Sequence, residues 1–150
     1  MKCLFFSVLS ILLICNRVAA QECSEFYQAE CVSPPSKFTY VINPASCSFM
    51  LKPGGQELIL FVFDEGKDYR IFLCAAPVFN QVIQFDILNE QNNLLYSNLD
   101  NDFSLHVEFS SKKTQAVSFV VTAPEMEYFS DTSACVGILI EEMESVKIGF

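Results

Sequence analysis

The chain has no tryptophan, one histidine, five glycines and half as many basic as acidic residues. Each scarcity excludes something. Fifteen Phe without a single Trp read as core rather than as a sugar-stacking surface, where indole and phenol rings are expected. With one histidine, any Ser-His or Cys-His chemistry has to use His106. That residue alternates with Leu105 and Val107 beside Glu108, and no nucleophile-elbow or active-site cysteine signature accompanies it. It reads as a surface histidine, and the chain as no enzyme. Nine Lys and Arg against eighteen Asp and Glu give a net charge of −9. Such a balance excludes nucleic acid, which needs a basic face, and anionic membrane surfaces. It is compatible with solubility, with cation binding or with a basic partner. Gly54 and Gly55 follow Pro53 in a turn, so no glycine loop cradles a phosphate, and no Asn-x-Ser/Thr sequon occurs.

Past residue 20 no apolar run approaches the ~20 residues that span a bilayer, so the mature chain is expected to insert no membrane helix. Residues 1–20 read as a signal peptide: Lys2, an apolar stretch from Cys3 to Cys15, then Val18-Ala19-Ala20 as the cleavage site. Ile14 before Cys15 and Glu22 before Cys23 do not fit lipid attachment. The expectation is an exported protein that is periplasmic, cell-surface or extracellular. Losing Lys2 and Arg17 leaves seven basic residues against eighteen acidic ones, a net charge of −11. Cys23, Cys31, Cys47, Cys74 and Cys135 remain, and in an oxidising compartment they are disulfide candidates rather than metal ligands. Five is odd, so one thiol is left over.

Residues 21–46, interrupted by Pro34-Pro35, read as an arm tethered by disulfide bonding, with a short strand between Phe38 and Ile42. Residues 47–150 read as one domain. Cys47 to Leu51 and Leu94 to Ser97 are short strands. Ile83, Phe85 and Ile87 alternate with polar neighbours, as do Leu105, Val107 and Phe109, then Val117, Phe119 and Val121, then Val136, Ile138 and Ile140. Turn signals recur every eight to twelve residues. The fold class is all-β: an antiparallel two-sheet β-sandwich, jelly-roll-like, of eight or nine strands. Leu58 to Phe63 is apolar on both faces and is expected to lie central in its sheet. With Tyr69 to Leu73 it reads as a hairpin closed by Gly66. A tail from Val146 to Phe150 offers a further strand. Its terminal Phe also marks outer-membrane barrels, but Leu58 to Phe63 would put apolar side chains into a barrel lumen.

Cys74 shares the face of Arg70 and Phe72, and Cys135 shares the face of Gly137; both point away from the expected core. One closes a strand and the other opens one, which predicts a Cys74–Cys135 bond. The second bond is expected between Cys31 and Cys47. Asp100 and Asp102, with Glu90 nearby in sequence, offer hard oxygen ligands and form a calcium candidate; no other cofactor is expected. Asp64, Glu65 and Asp68 read as a solvated turn.

Gly66-Lys67-Asp68-Tyr69-Arg70-Ile71 with its trailing Cys74, Ile83-Gln84-Phe85-Asp86-Ile87, and Cys135-Val136-Gly137-Ile138-Leu139-Ile140 resemble a family of small exported proteins of Bacteroidetes-type bacteria that has no established activity. The general layout is similar to the bacterial pre-peptidase C-terminal β-sandwich, a non-catalytic accessory domain. The resemblance covers roughly Phe49 to Ile140 and implies no catalytic residue. Two functions are expected: from the all-strand pattern without a catalytic constellation, a structural or protein-interaction module whose partner is an unidentified envelope or extracellular protein; from the Phe-rich core and acidic turns, a ligand-binding sandwich taking calcium, a glycan or an apolar molecule.

Overall fold

The computed structural model describes residues 23–126 and 133–146. A short turn of 3-10 helix and helix α1 (Phe26–Glu30) precede nine strands: β1 (Val41–Ile42), β2 (Cys47–Leu51), β3 (Gln56–Phe63), β4 (Lys67–Ala75), β5 (Gln84–Asn89), β6 (Leu94–Ser97), β7 (His106–Ser110), β8 (Gln115–Thr122) and β9 (Ala134–Glu144). One sheet has five strands, with the order β1-β9-β4-β7 and β2 also on β9; the other has four, in the order β3-β8-β5-β6. The pairs β2–β9, β3–β8, β4–β7 and β5–β6 are all antiparallel and nest inside one another. The chain is thus one long double strand folded over itself, which is the topology of a jelly roll.

The period-2 pattern puts one face of every strand into the layer between the sheets. Tyr69, Ile71, Phe85, Phe119, Val121, Val136, Ile138 and Ile140 are almost wholly buried there. The phenylalanines interlock: Phe61 stacks on Phe119 at 5.3 Å, and Phe63 meets Phe109 edge-on at 4.3 Å. Burying each such ring is worth roughly 1.5–3 kcal/mol relative to exposure. At one end of the sandwich the buried Asn98 ties two loops together, accepting from Phe85 N at 2.8 Å and donating to Ile83 O at 2.8 Å.

Two expectations about the middle of the chain are corrected. β3 and β4 do not form a hairpin; Gly66, at φ +80°, turns the chain from the four-stranded sheet into the five-stranded one. Nor is β3 central. It pairs with β8 alone among the described residues and forms a sheet edge. The strands covered on both faces are β4 and β9, whose residues Tyr69 to Cys74 and Cys135 to Ile140 are all buried. Position 146 lies outside any strand, and the rest of the tail, like residues 1–22, falls outside the described residues.

Candidate functional site: one clamped face and one bare face

The outer face of the five-stranded sheet is covered by the N-terminal segment. Cys74 and Cys135 do point away from the core, as their strand positions predict, but they do not bond to each other. The bonds are Cys23–Cys135, with Cα atoms 5.5 Å apart, and Cys31–Cys74, at 5.1 Å. The register explains this. Cys74 is level with Gly137, so Cys135 sits two residues further along β9 on the same face, about 7 Å away. Each cysteine instead meets one from the covering segment. The expected Cys31–Cys47 bond fails for a different reason. Cys47 is level with Ile138, which faces the core, so it lies on the opposite side of the sheet from Cys31. Its thiol is free, and burial pushes its pKa up, with a smaller push from Glu57. Two disulfides mark a chain that folds outside the reducing cytosol.

Gly137 makes the close approach possible. A Cβ there would stand 2.8 Å from Cys74 Sγ and 2.9 Å from Tyr27 Cα. Helix α1 therefore lies directly on β9, and Phe26 and Tyr27 pack on an outer cluster of Cys31, Phe72, Cys74 and Leu139. Tyr27 N donates to Ser48 Oγ at 2.7 Å.

Arg70 is the polar half of the clamp. It is 4% exposed. Its Nη2 donates to Ser33 Oγ and to Pro34 O, both at 2.9 Å, and its Nε lies 3.4 Å from Glu108 and 3.6 Å from Glu141. Ser33 Oγ donates in turn to Glu141 at 2.9 Å. The guanidinium also faces the Tyr40 and Phe72 rings, at 4.8 and 5.1 Å. Nε has no hydrogen bond of good geometry. A buried cation with two carboxylate neighbours and two short bonds to the arm holds the arm in register more than it adds net stability. Nothing in the sequence pattern singled out Arg70. The one available signal was that its face of β4 also carries Phe72 and Cys74, an unusual set for a solvated face.

His106 lies at the edge of this region. Its ring stacks on Phe72 at 4.4 Å, and its Nε2 faces Glu108 at 3.0 Å. Its side chain is thus directed at a carboxylate and an aromatic ring. The calcium candidates are not brought together. Glu90 sits in the turn after β5, while Asp100 and Asp102 sit in the loop after β6. Among the described residues no three His, Cys, Asp or Glu side chains gather where they could hold a metal ion.

The outer face of the four-stranded sheet has no such cover among the described residues. Leu58, Leu60 and Val62 are 57%, 75% and 51% exposed. Leu58 continues across the sheet as Val120 and Asp86, Leu60 as Ser118 and Leu88, and Val62 as Ala116. The one charge on these rows is Asp86, which is tied to Ser97 and Gln84 at 2.6 and 2.7 Å. The same strand is open at its edge. Ala123 N donates to Gly55 O at 3.0 Å, and that parity turns Glu57, Ile59, Phe61 and Phe63 toward β8. Gln56, Leu58, Leu60 and Val62 therefore direct their backbone N–H and C=O groups away from the sheet.

No protein-family model matches the chain, and no curated protein does. The resemblance carried by Gly66 to Cys74 and Cys135 to Ile140 thus gains no support from known families or curated proteins. Among solved structures the chain is similar to the crystal structure of Aeromonas hydrophila PliG, a periplasmic lysozyme inhibitor of g-type lysozyme. Identity is 7% and the TM-score 0.48, over 75% of this chain and 93% of that one. At that distance the likeness carries no functional argument. No helix among the described residues is long and apolar enough to cross a membrane.

Proposed function

We propose that this is an exported, non-catalytic β-sandwich module that binds another protein through the outer face and open edge of β3. The observation that carries the reading is the stripe of Leu58, Leu60 and Val62, exposed on a strand whose outward backbone groups meet no strand among the described residues. Natural edge strands are blunted by charge, proline or cover. The eight residues of β3 have no proline and a single charge, Glu57, at one end. A protein that leaves such an edge open uses it, because apolar surface and backbone bonds together are the basis of strand-addition binding. A photo-crosslinking residue at position 60 tests this in the exporting cell. It is expected to capture one defined protein, while the same residue at Glu90 captures none. Turnover of a substrate by the purified protein, lost in His106→Ala, would refute the non-catalytic reading.

A further inference from the structure

A second opening lies on the other side of the sandwich, where β6 and β7 are the edges of their sheets. Between them is a cleft of about 350 Å³, walled by Phe63, Ile87, Leu95, Tyr96 and Phe109, with Glu108 on its rim. That volume is at the lower end of the range for sites that hold a bound group. β7 supplies backbone groups along one lip. Leu73 N donates to Leu105 O and Ser111 N to Lys67 O, both at 2.8 Å. The odd-numbered residues of β7 therefore face β4, and the even-numbered ones direct N–H and C=O away from it. The backbone of His106 is already engaged by Ser104 Oγ, at 3.4 Å from N and 3.1 Å from O. Glu108 and Ser110 are left as the open pair, since no described strand lies on that side of β7.

We infer that this cleft takes an extended peptide of the pattern apolar–basic–apolar, added as a short strand beside β7. Side chains of an added strand alternate between faces. A residue level with Glu108 points to the outer face, and its two neighbours point into the cleft. On the outer face the Glu108 side chain is 54% exposed, and it shares Arg70 with Glu141. Two carboxylates meet one guanidinium there, with His106 Nε2 also 3.0 Å from Glu108, on a chain of net charge −9, so the complementary residue opposite Glu108 is Lys or Arg. A free apolar molecule fits less well. It would cover the backbone groups of Glu108 and Ser110 without bonding to them, whereas a peptide strand satisfies them.

The test uses the full disulfide-bonded protein and three labelled pentapeptides followed by fluorescence anisotropy: acetyl-Ser-Leu-Arg-Leu-Ser-amide, the same peptide with Glu in place of Arg, and the same peptide with both Leu replaced by Ser. The arginine peptide is expected to bind about fivefold to tenfold more tightly than the glutamate peptide, and the serine peptide not at all. Glu108→Lys should invert the order of the two charged peptides. Leu95→Lys, on the half-exposed wall, should abolish binding of both with the melting temperature unchanged. Equal binding of the arginine and glutamate peptides overturns the inference. So does displacement of the arginine peptide by decanoic acid combined with failure of Glu108→Lys to invert the preference. The chain's own Val146-Lys147-Ile148 carries the same pattern. If the arginine peptide binds only after Lys147→Glu, the occupant is this segment and the proposal of a separate partner falls. Each of these outcomes is independent of what position 60 captures, so the β3 reading and this one fail separately.

Discussion

The outer faces of the two sheets carry similar kinds of apolar side chain and receive opposite treatment. On the five-stranded sheet, Phe72, Cys74 and Leu139 are buried beneath helix α1, two disulfides and the Arg70 clamp. On the four-stranded sheet, Leu58, Leu60 and Val62 are left half or more exposed. Apolar residues on a strand's second face thus have two physical meanings. Beneath a covalently held segment they are core. On an edge that meets no further strand among the described residues they are exposed surface. The difference teaches that the clamp concentrates stability on one face, while the other face carries the exposed stripe on which the proposed binding rests, and substitutions on the two faces should behave accordingly.

The largest effect is expected at Arg70. Arg70→Ala leaves Glu141, whose side chain is 12% exposed, without its cation and removes two bonds to the arm. The cost should be roughly 3–5 kcal/mol in urea unfolding. Arg70→Met keeps the packing against Phe72 and Tyr40 while removing the buried charge, and should cost clearly less. Equal losses for the two variants would mean that the guanidinium's bonds and charge, which both variants remove, set the cost, and that the packing of its stem against Phe72 and Tyr40 adds little.

Replacing Cys31 and Cys74 together by Ala, or Cys23 and Cys135 together, should each cost about 2–5 kcal/mol. The bridges close loops of 43 and 112 residues, so the Cys23–Cys135 pair is expected to cost more. Gly137→Ala comes next. Its Cβ would meet Cys74 Sγ and backbone of Tyr27, neither of which is the free end of a flexible chain. A loss of about 1–3 kcal/mol is expected, with earlier release of α1 in hydrogen exchange. No loss would show that the arm yields more readily than the clamp implies.

Alkaline pH separates the faces without mutation. Tyr40, Cys47, Lys67 and Tyr69 lie on the five-stranded sheet or its arm, and all have raised pKa values. Burial is the main cause for the two tyrosines and Cys47; hydrogen bonds from Lys67 to Glu142 and then Asp64 are the cause for the lysine. A raised folded-state pKa means that the unfolded chain releases its proton first. The stabilisation is complete below the ordinary value and is lost as pH climbs through the folded one. The ordinary values are 9.0 for Cys47, 10.0 for Tyr69 and 10.5 for Lys67. The melting temperature should therefore begin to fall near pH 9, and Tyr69→Phe should flatten the slope above about pH 10. An unchanged slope would remove Tyr69 from the account.

Much of this architecture was legible, and what was not has one cause. Period 2 is a local property, so Cys47–Leu51 and Leu94–Ser97 were readable at their bounds, and the inward faces of Tyr69, Ile71 and Leu73 and of Val136, Ile138 and Ile140 followed directly. Outward Cys74 and Cys135 were readable for the same reason. Their partners were not, because Cys23 and Cys31 lie in a segment with no periodic pattern to fix its course over the sheet. Arg70 was illegible as a clamp because Ser33, Glu108 and Glu141 come from three distant segments. The two-faced apolar run of β3 was misread as a central strand because an exposed apolar edge strand and a doubly covered strand share one composition.

The smallest stability effect, and the sharpest test of the comparison, belongs to β3. Changing Leu58, Leu60 and Val62 to Thr removes exposed apolar surface while placing β-branched residues of good strand propensity at all three positions. Each position contacts mainly its own sheet, and substitutions away from core and clamp stay within about 0.5 kcal/mol. The triple variant should unfold within about 1.5 kcal/mol of the parent on that basis, whereas a comparable change of Phe72 and Leu139 to Thr on the clamped face should cost several kcal/mol. Capture at position 60 should be lost when Leu58 and Val62 alone are changed to Thr. If the β3 variant instead loses as much stability as the Phe72 and Leu139 variant, the stripe is core to a cover lying outside the described residues, and the bare face is not a binding face.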